Sequence, residues 1–153
     1  MVFAAQVIGD RQRQEDSFAV EAIALACAGE KTVNDLLVVA DGMGGHAGGA
    51  IASRVAVDAF VSAVRSGAQW GQETLAFALE QANQRISSEV YADQSLRGMG
   101  TTLLGVVRCA NRLEWISVGD SPLLLYRDSQ LVRLNEDHSM LPIFCLLYTS
   151  DAA

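Results

Sequence analysis

The sequence has no run of lysine or arginine, and its 11 basic residues are outnumbered by 18 acidic ones, giving a formal net charge of −7. Such a surface repels phosphate backbones, which excludes nucleic-acid binding as a main task, and it suits a protein that collects cations. Cysteine is scarce and has no paired spacing. Cys27, Cys109 and Cys145 read neither as a zinc knuckle nor as a disulfide framework, and are expected to be small buried apolar residues in a reducing compartment. No apolar run reaches the length of a membrane span, and the opening MVFAAQVIGDRQRQED lacks the basic start and long apolar core of a signal peptide. A cytoplasmic location with no membrane partner is the expectation.

What is present is enough apolar residue, 50% of 153 positions, to bury one core in a single domain or a piece of one. Residues 3–8 form a short apolar run ended by Gly9 and read as a first strand. Residues 16–25 read as its hairpin partner across DRQRQE, and GEKTVND reads as a turn before the buried strand LLVVA. From Ala47 the period changes: Ile51, Val55 and Ala59, with Ala52, Ala56 and Phe60, predict a helix to about Val64, closed by Gly67. Leu75, Leu79, Ala82, Ile86 and Val90 predict a second. TTLLGVVRC, RLEWISVGD, SPLLLYRD and QLVRLNED follow as four short strands, read as an antiparallel meander. Strands, two helices and more strands without regular alternation define an α+β chain. The patterning fails in LPIFCLLYTSDAA, so the domain is expected to occupy 1–142, with 143–153 a non-natural continuation.

Asp41 stands at the end of the buried strand and is followed by Gly42, Gly44, Gly45, Gly48 and Gly49. A carboxylate on a rigid strand end suits a metal ligand, and the glycines clear room for an ion and an anionic substrate. A nucleotide P-loop is excluded, because Ala50 and Ile51 stand where Lys and Ser or Thr are needed. Glu15 and Asp16, preceded by Arg11 and Arg13, would meet Asp41 if the first strands flank LLVVA. Converging carboxylates repel unless cations hold them, and hard oxygen ligands select Mg²⁺ or Mn²⁺. Arginine beside them suits a phosphate. Taken singly, each charge reads first as a solvated turn residue, and Asp120 in SVGDSPLL as a β-turn aspartate.

In order, GDRQRQEDS, VVADGMGGHAGG, GMGTTLLG, SVGDSPLLLYRD and NEDHS resemble the metal-dependent protein phosphatases of the PPM, or PP2C, type in their bacterial form, from about Gly9 to Met140. The resemblance implies a four-layer α/β/β/α sandwich of two antiparallel sheets flanked by helices, here without its C-terminal half. It implies two Mn²⁺ or Mg²⁺ ions, bridged by Asp41, with the Gly42 carbonyl and Glu15 as further ligands and Asp120 at a third, weaker position. Asp16 would orient metal-bound water, Arg11 would hold the substrate phosphoryl group, and Thr101 and Thr102 would line the site. Phosphoserine and phosphothreonine on protein substrates would be hydrolysed by water activated between the metals. A monomer is expected once the domain is complete.

The chain departs from the family at several points. Gln14 replaces a common asparagine, Met43 stands where some relatives carry a histidine proposed as general acid, and Pro122 replaces an arginine. His46 reads as a loop residue and His138 as a turn cap. The family's later Asp-Gly and Asp-Asn metal motifs are absent. Weak metal binding and little or no turnover are therefore expected, together with an open apolar sheet edge. The competing reading is a non-catalytic binding or regulatory module of the same fold, against which the joint presence of Arg11, Glu15, Asp16 and Asp41 speaks.

Overall fold

The computed structural model describes residues 2–27, 30–44, 48–67, 71–109 and 112–138. Their order is β1 (Asp16–Cys27), β2 (Glu30–Met43), α1 (Gly48–Ser66), α2 (Gln72–Ala92), β3 (Gly100–Thr101), β4 (Leu103–Cys109), β5 (Arg112–Val118), β6 (Leu124–Arg127) and β7 (Gln130–Arg133). The main antiparallel sheet runs β1-β2-β4-β5, with β3 pairing the end of β2, while β6 and β7 form a separate two-stranded sheet. The α+β class and both helices are as the sequence predicts. The stretch after His138, with the expected boundary at 142, lies outside the described residues, as does His46.

The N-terminal hairpin is corrected. Residues 2–8 are not a strand, and β1 pairs instead with β2 over twelve residues, from Cys27↔Glu30 to Asp16↔Asp41. Within GEKTVND, residues 30–35 are not a turn but the start of β2. A long local ladder outcompetes a short one, because each added pair satisfies main-chain groups at little further loop-closure cost. The 3–8 run, denied that partner, leaves Phe3 85% exposed. The chain turns away at Gly9, whose φ of 60° is left-handed, with Arg11 N–H donating to the Ile8 carbonyl at 3.3 Å.

Strand alternation sorts the main sheet into two faces. Ile23, Leu36, Val38, Ala40, Leu103 and Val107 are buried with the stripe of α1, Ala56, Val57, Phe60 and Val64, and with Leu75, Ala78 and Ala82 of α2. The helices thus cover one face. On the other, Phe18, Val20 and Val39 remain 43%, 45% and 46% exposed. Phe60 is wholly buried, and a Cβ on Gly105 of β4 would overlap its ring, so the glycine sets how closely α1 packs on the sheet.

The expected meander is also corrected. β4 and β5 pair, and so do β6 and β7 through Asp128 and Ser129, both at positive φ, but β5 does not continue onto β6. Gly119, at φ 97°, and Pro122, which has no N–H for a ladder, break the run, and buried Asn135 holds the break by accepting from Leu123 N at 2.7 Å and donating to Ser121 O at 2.9 Å. Cys109 is buried at the end of β4, as a small apolar residue would be. Among the described residues no helix is long and apolar enough to cross a membrane.

Gly105→Ala is expected to lower stability by about 1–3 kcal/mol, the range for overpacking a core, with part regained when Phe60→Leu is added. Urea unfolding of the three variants measures this; an unchanged midpoint for Gly105→Ala would show that the Phe60 ring can yield.

Candidate active site

Asp16 opens β1 and Asp41 lies near the end of β2, and the two are direct cross-strand partners. Opposed residues of an antiparallel pair project from the same face, so the ladder sets the two carboxylates side by side, as does no other register. Asp41 is held above the ordinary carboxylate range, first by burial, then by the charge and hydrogen bond of Asp16 and by the charge of Asp120, with Arg11 pulling the other way. The structure therefore brings Asp16, Asp41 and Asp120 into one electrostatic neighbourhood, with Arg11 within reach of it.

Glu15 arrives differently. Its carbonyl oxygen accepts from Gly42 N at 3.1 Å, which ties the loop before β1 to the end of β2. Its carboxylate stands 3.9 Å from the Arg11 guanidinium, in an open cleft lined by Arg11, Gln12, Arg13 and Glu15. Asp16 and Asp41 line a second cleft, with Phe18, Val39, Ser121 and Pro122. Gly42 is buried, and a Cβ there would overlap the carbonyl oxygens of Gly49 and Glu15. Gly42 and Gly49 thus bring the start of α1 against the strand end, so at these two positions the missing side chain serves backbone packing, where the sequence suggested room for an ion and a substrate.

Thr101 and Thr102 fix the Asp41 main chain. Thr101 Oγ1 and Thr102 N both donate to the Asp41 carbonyl at 2.9 Å, and Asp41 N donates to Thr102 Oγ1 at 2.9 Å. Thr102 Oγ1 in turn lies 2.8 Å from Ser121 Oγ, and a Cβ on Gly119 would run into the Thr102 side chain. The turn that carries Asp120 is thus latched onto the residue that fixes the Asp41 main chain. Ser121 was not singled out from sequence; a small hydroxyl following Gly-Asp in a strand break was the available signal, but only folding supplies its partner. His138 N donates to Gly119 O at 3.0 Å, so this residue secures the same turn. Met43 is exposed just past Gly42.

The donor set is all hard oxygen, and the repulsion on Asp41 is what a divalent cation would relieve. Among the described residues, however, no three His, Cys, Asp or Glu side chains converge closely enough to hold a metal. The residues fit part of a shell, with the balance left to main-chain oxygen and water.

The sheet end thus carries a pair of opposed carboxylates, an arginine on the adjoining loop and a helix start packed close through glycine, on an α+β scaffold. The Protein phosphatase 2C family profile matches residues 8–141, and the chain belongs to that family. It is 38% identical over 105 residues to the serine/threonine protein phosphatase PstP of Mycobacterium tuberculosis, covering 67% of this chain and 20% of that protein. It is 35% identical over 113 residues to protein phosphatase PhpP of Streptococcus pneumoniae, covering 69% and 44%. The crystal structure of the PstP catalytic domain in complex with two manganese ions superposes with a TM-score of 0.65 at 27% identity, covering 87% of this chain and 60% of that one. The chain thus spans less than half the length of these two curated relatives.

Without metal, Asp41→Asn is expected to raise the melting temperature at neutral pH by about 1–4 °C, taking an exposed-pair energy with the usual conversion for a chain of this size. The sign follows from linkage: a carboxyl raised on folding costs stability as pH climbs from the ordinary carboxylate range through its raised pKa. The gain should therefore vanish in acid, where the wild-type side chain is also neutral. A gain of the same size at acidic and neutral pH would contradict this account.

Proposed function

We propose that this chain is the N-terminal part of a metal-dependent protein serine/threonine phosphatase that hydrolyses phosphoserine and phosphothreonine on protein substrates in the cytoplasm. The observation that carries the reading is the Asp16↔Asp41 pairing at the sheet end, with Arg11 and Glu15 on the adjoining loop. Bound Mn²⁺ or Mg²⁺ ions would supply a water of lowered pKa and neutralise phosphoryl charge. Asp41 and the Gly42 carbonyl would hold the ions with Glu15, and Asp120 would serve a weaker position. Asp16, hydrogen-bonded to Asp41, would orient the attacking water. Arg11 is exposed and its contact with Glu15 is long, so its guanidinium is available to grip a phosphoryl group bidentately. That the PstP catalytic domain forms a complex with two manganese ions supports the two-metal reading.

The partial shell supports a second statement, that this polypeptide alone binds metal weakly and turns over little or nothing. The same observation favours the alternative of a non-catalytic module of this fold. Hydrolysis of a phosphothreonine peptide with Mn²⁺ separates the readings, using this chain and a version extended to the length of its relatives. The extended protein should be active, and Asp41→Ala should reduce its rate at least about 100-fold, the scale for losing a group that stabilises transition-state charge. Equal rates with and without the Asp41 carboxylate would remove its metal role. No Mn²⁺-dependent activity in the extended protein would favour the module.

A further inference from the structure

Ser53 lies on α1 and is 0% exposed, on the face otherwise occupied by Ala52, Ala56 and Phe60. A helical serine usually turns its hydroxyl back onto its own helix. Here that contact, to Ala50 O, is long at 3.4 Å, whereas Ser53 Oγ lies 2.6 Å from the carbonyl oxygen of Glu15, which it donates to. A hydroxyl has one proton, so the 2.9 Å contact with Ser17 Oγ is a donation from Ser17. Glu15 O thus receives two hydrogen bonds, from Ser53 and from Gly42 N. One main-chain oxygen joins the helix, the strand end and the loop bearing the acidic pair.

We infer that Ser53 is a positioning residue, which fixes the height of the Glu15–Asp16 loop against α1 and so sets where the Glu15 carboxylate stands in the cleft it shares with Arg11, from which it would serve the cation site. This rests on the reading of Glu15 as a metal ligand. The hydroxyl does not touch the ion; it acts through the Glu15 main chain. Burying a serine in an apolar helix face costs free energy unless its partner is good, and the short bond to Glu15 O supplies that partner.

The test is Mn²⁺ affinity of the chain by electron paramagnetic resonance titration, with melting temperature recorded beside it. Ser53→Ala should weaken Mn²⁺ binding by about 10-fold, the low end for loss of an outer partner of a metal ligand. Ser17→Ala, which perturbs the same packed spot but leaves the Ser53 donation to Glu15 in place, should keep the wild-type affinity. In a Glu15→Gln background, Ser53→Ala should have no further effect, because the two act through one carboxylate. Wild-type affinity in Ser53→Ala overturns the inference, as does the same fold-loss in both backgrounds, which would mark a general packing defect. If Glu15→Gln alone leaves affinity unchanged, Glu15 is not a ligand, and the metal reading of that residue fails first, taking the inference with it.

Discussion

The register of β1 against β2 is the constraint on which the rest depends. Twelve cross-strand pairs fix it, and the buried alternation of Ile23, Leu36, Val38 and Ala40 specifies which face meets the helices. Because side chains alternate with a period of two, the same choice that buries those residues sends Asp16 and Asp41 out together on the opposite face. Core packing and carboxylate convergence are one decision. The convergence is unfavourable in itself, as the raised pKa of Asp41 records, and apolar burial elsewhere in the ladder holds it in place. Functional clusters commonly give up stability locally in this way, and the metal role proposed for the pair fits that relation.

Around that pair, the polar groups of the backbone are put to work as fixings. The Asp41 main chain is engaged at its nitrogen and its oxygen by Thr101 and Thr102, and Thr102 meets Ser121 from the following turn. Close approach does the rest, since Gly42 and Gly49 let a helix start and a strand end meet at main-chain distance. Pro122, at the place of an arginine in relatives of the resembled family, lines the same cleft as Asp16 and Asp41 and offers that cleft no charge.

Much of this was legible in the sequence where the signal is periodic. The stripes through Ile51, Val55 and Phe60 and through Leu75, Ala82 and Ile86 gave both helices, and the apolar run ending at Asp41 placed that residue at a strand end. Pairing was less legible, because it is decided by the partner. Residues 3–8 look like a strand, yet the longer ladder takes β1 away from them. Lys31, Thr32 and Asn34 look like a turn, yet opposite β1 they continue β2. Asp16 does reach Asp41, through direct β1–β2 pairing and not through a hairpin with residues 3–8, whereas the Glu15 carboxylate lies in the cleft of Arg11. Ser53 and Ser121 were illegible for a related reason. A serine beside alanines on a helix face, or after an aspartate in a turn, announces no partner until the chain has folded around it.

The ladder also has a direction in time. Its partners Cys27 and Glu30 lie three positions apart in the chain, whereas Asp16 and Asp41 lie twenty-five apart, so closure costs least at the far end and most at the carboxylates. The strands can zip from the hairpin connection inward, deferring the meeting of like charges until the other eleven pairs are made. Weakening the middle of the zipper, near Ile23 and Asn34, would then loosen the acidic end from a distance, with no atom of it altered.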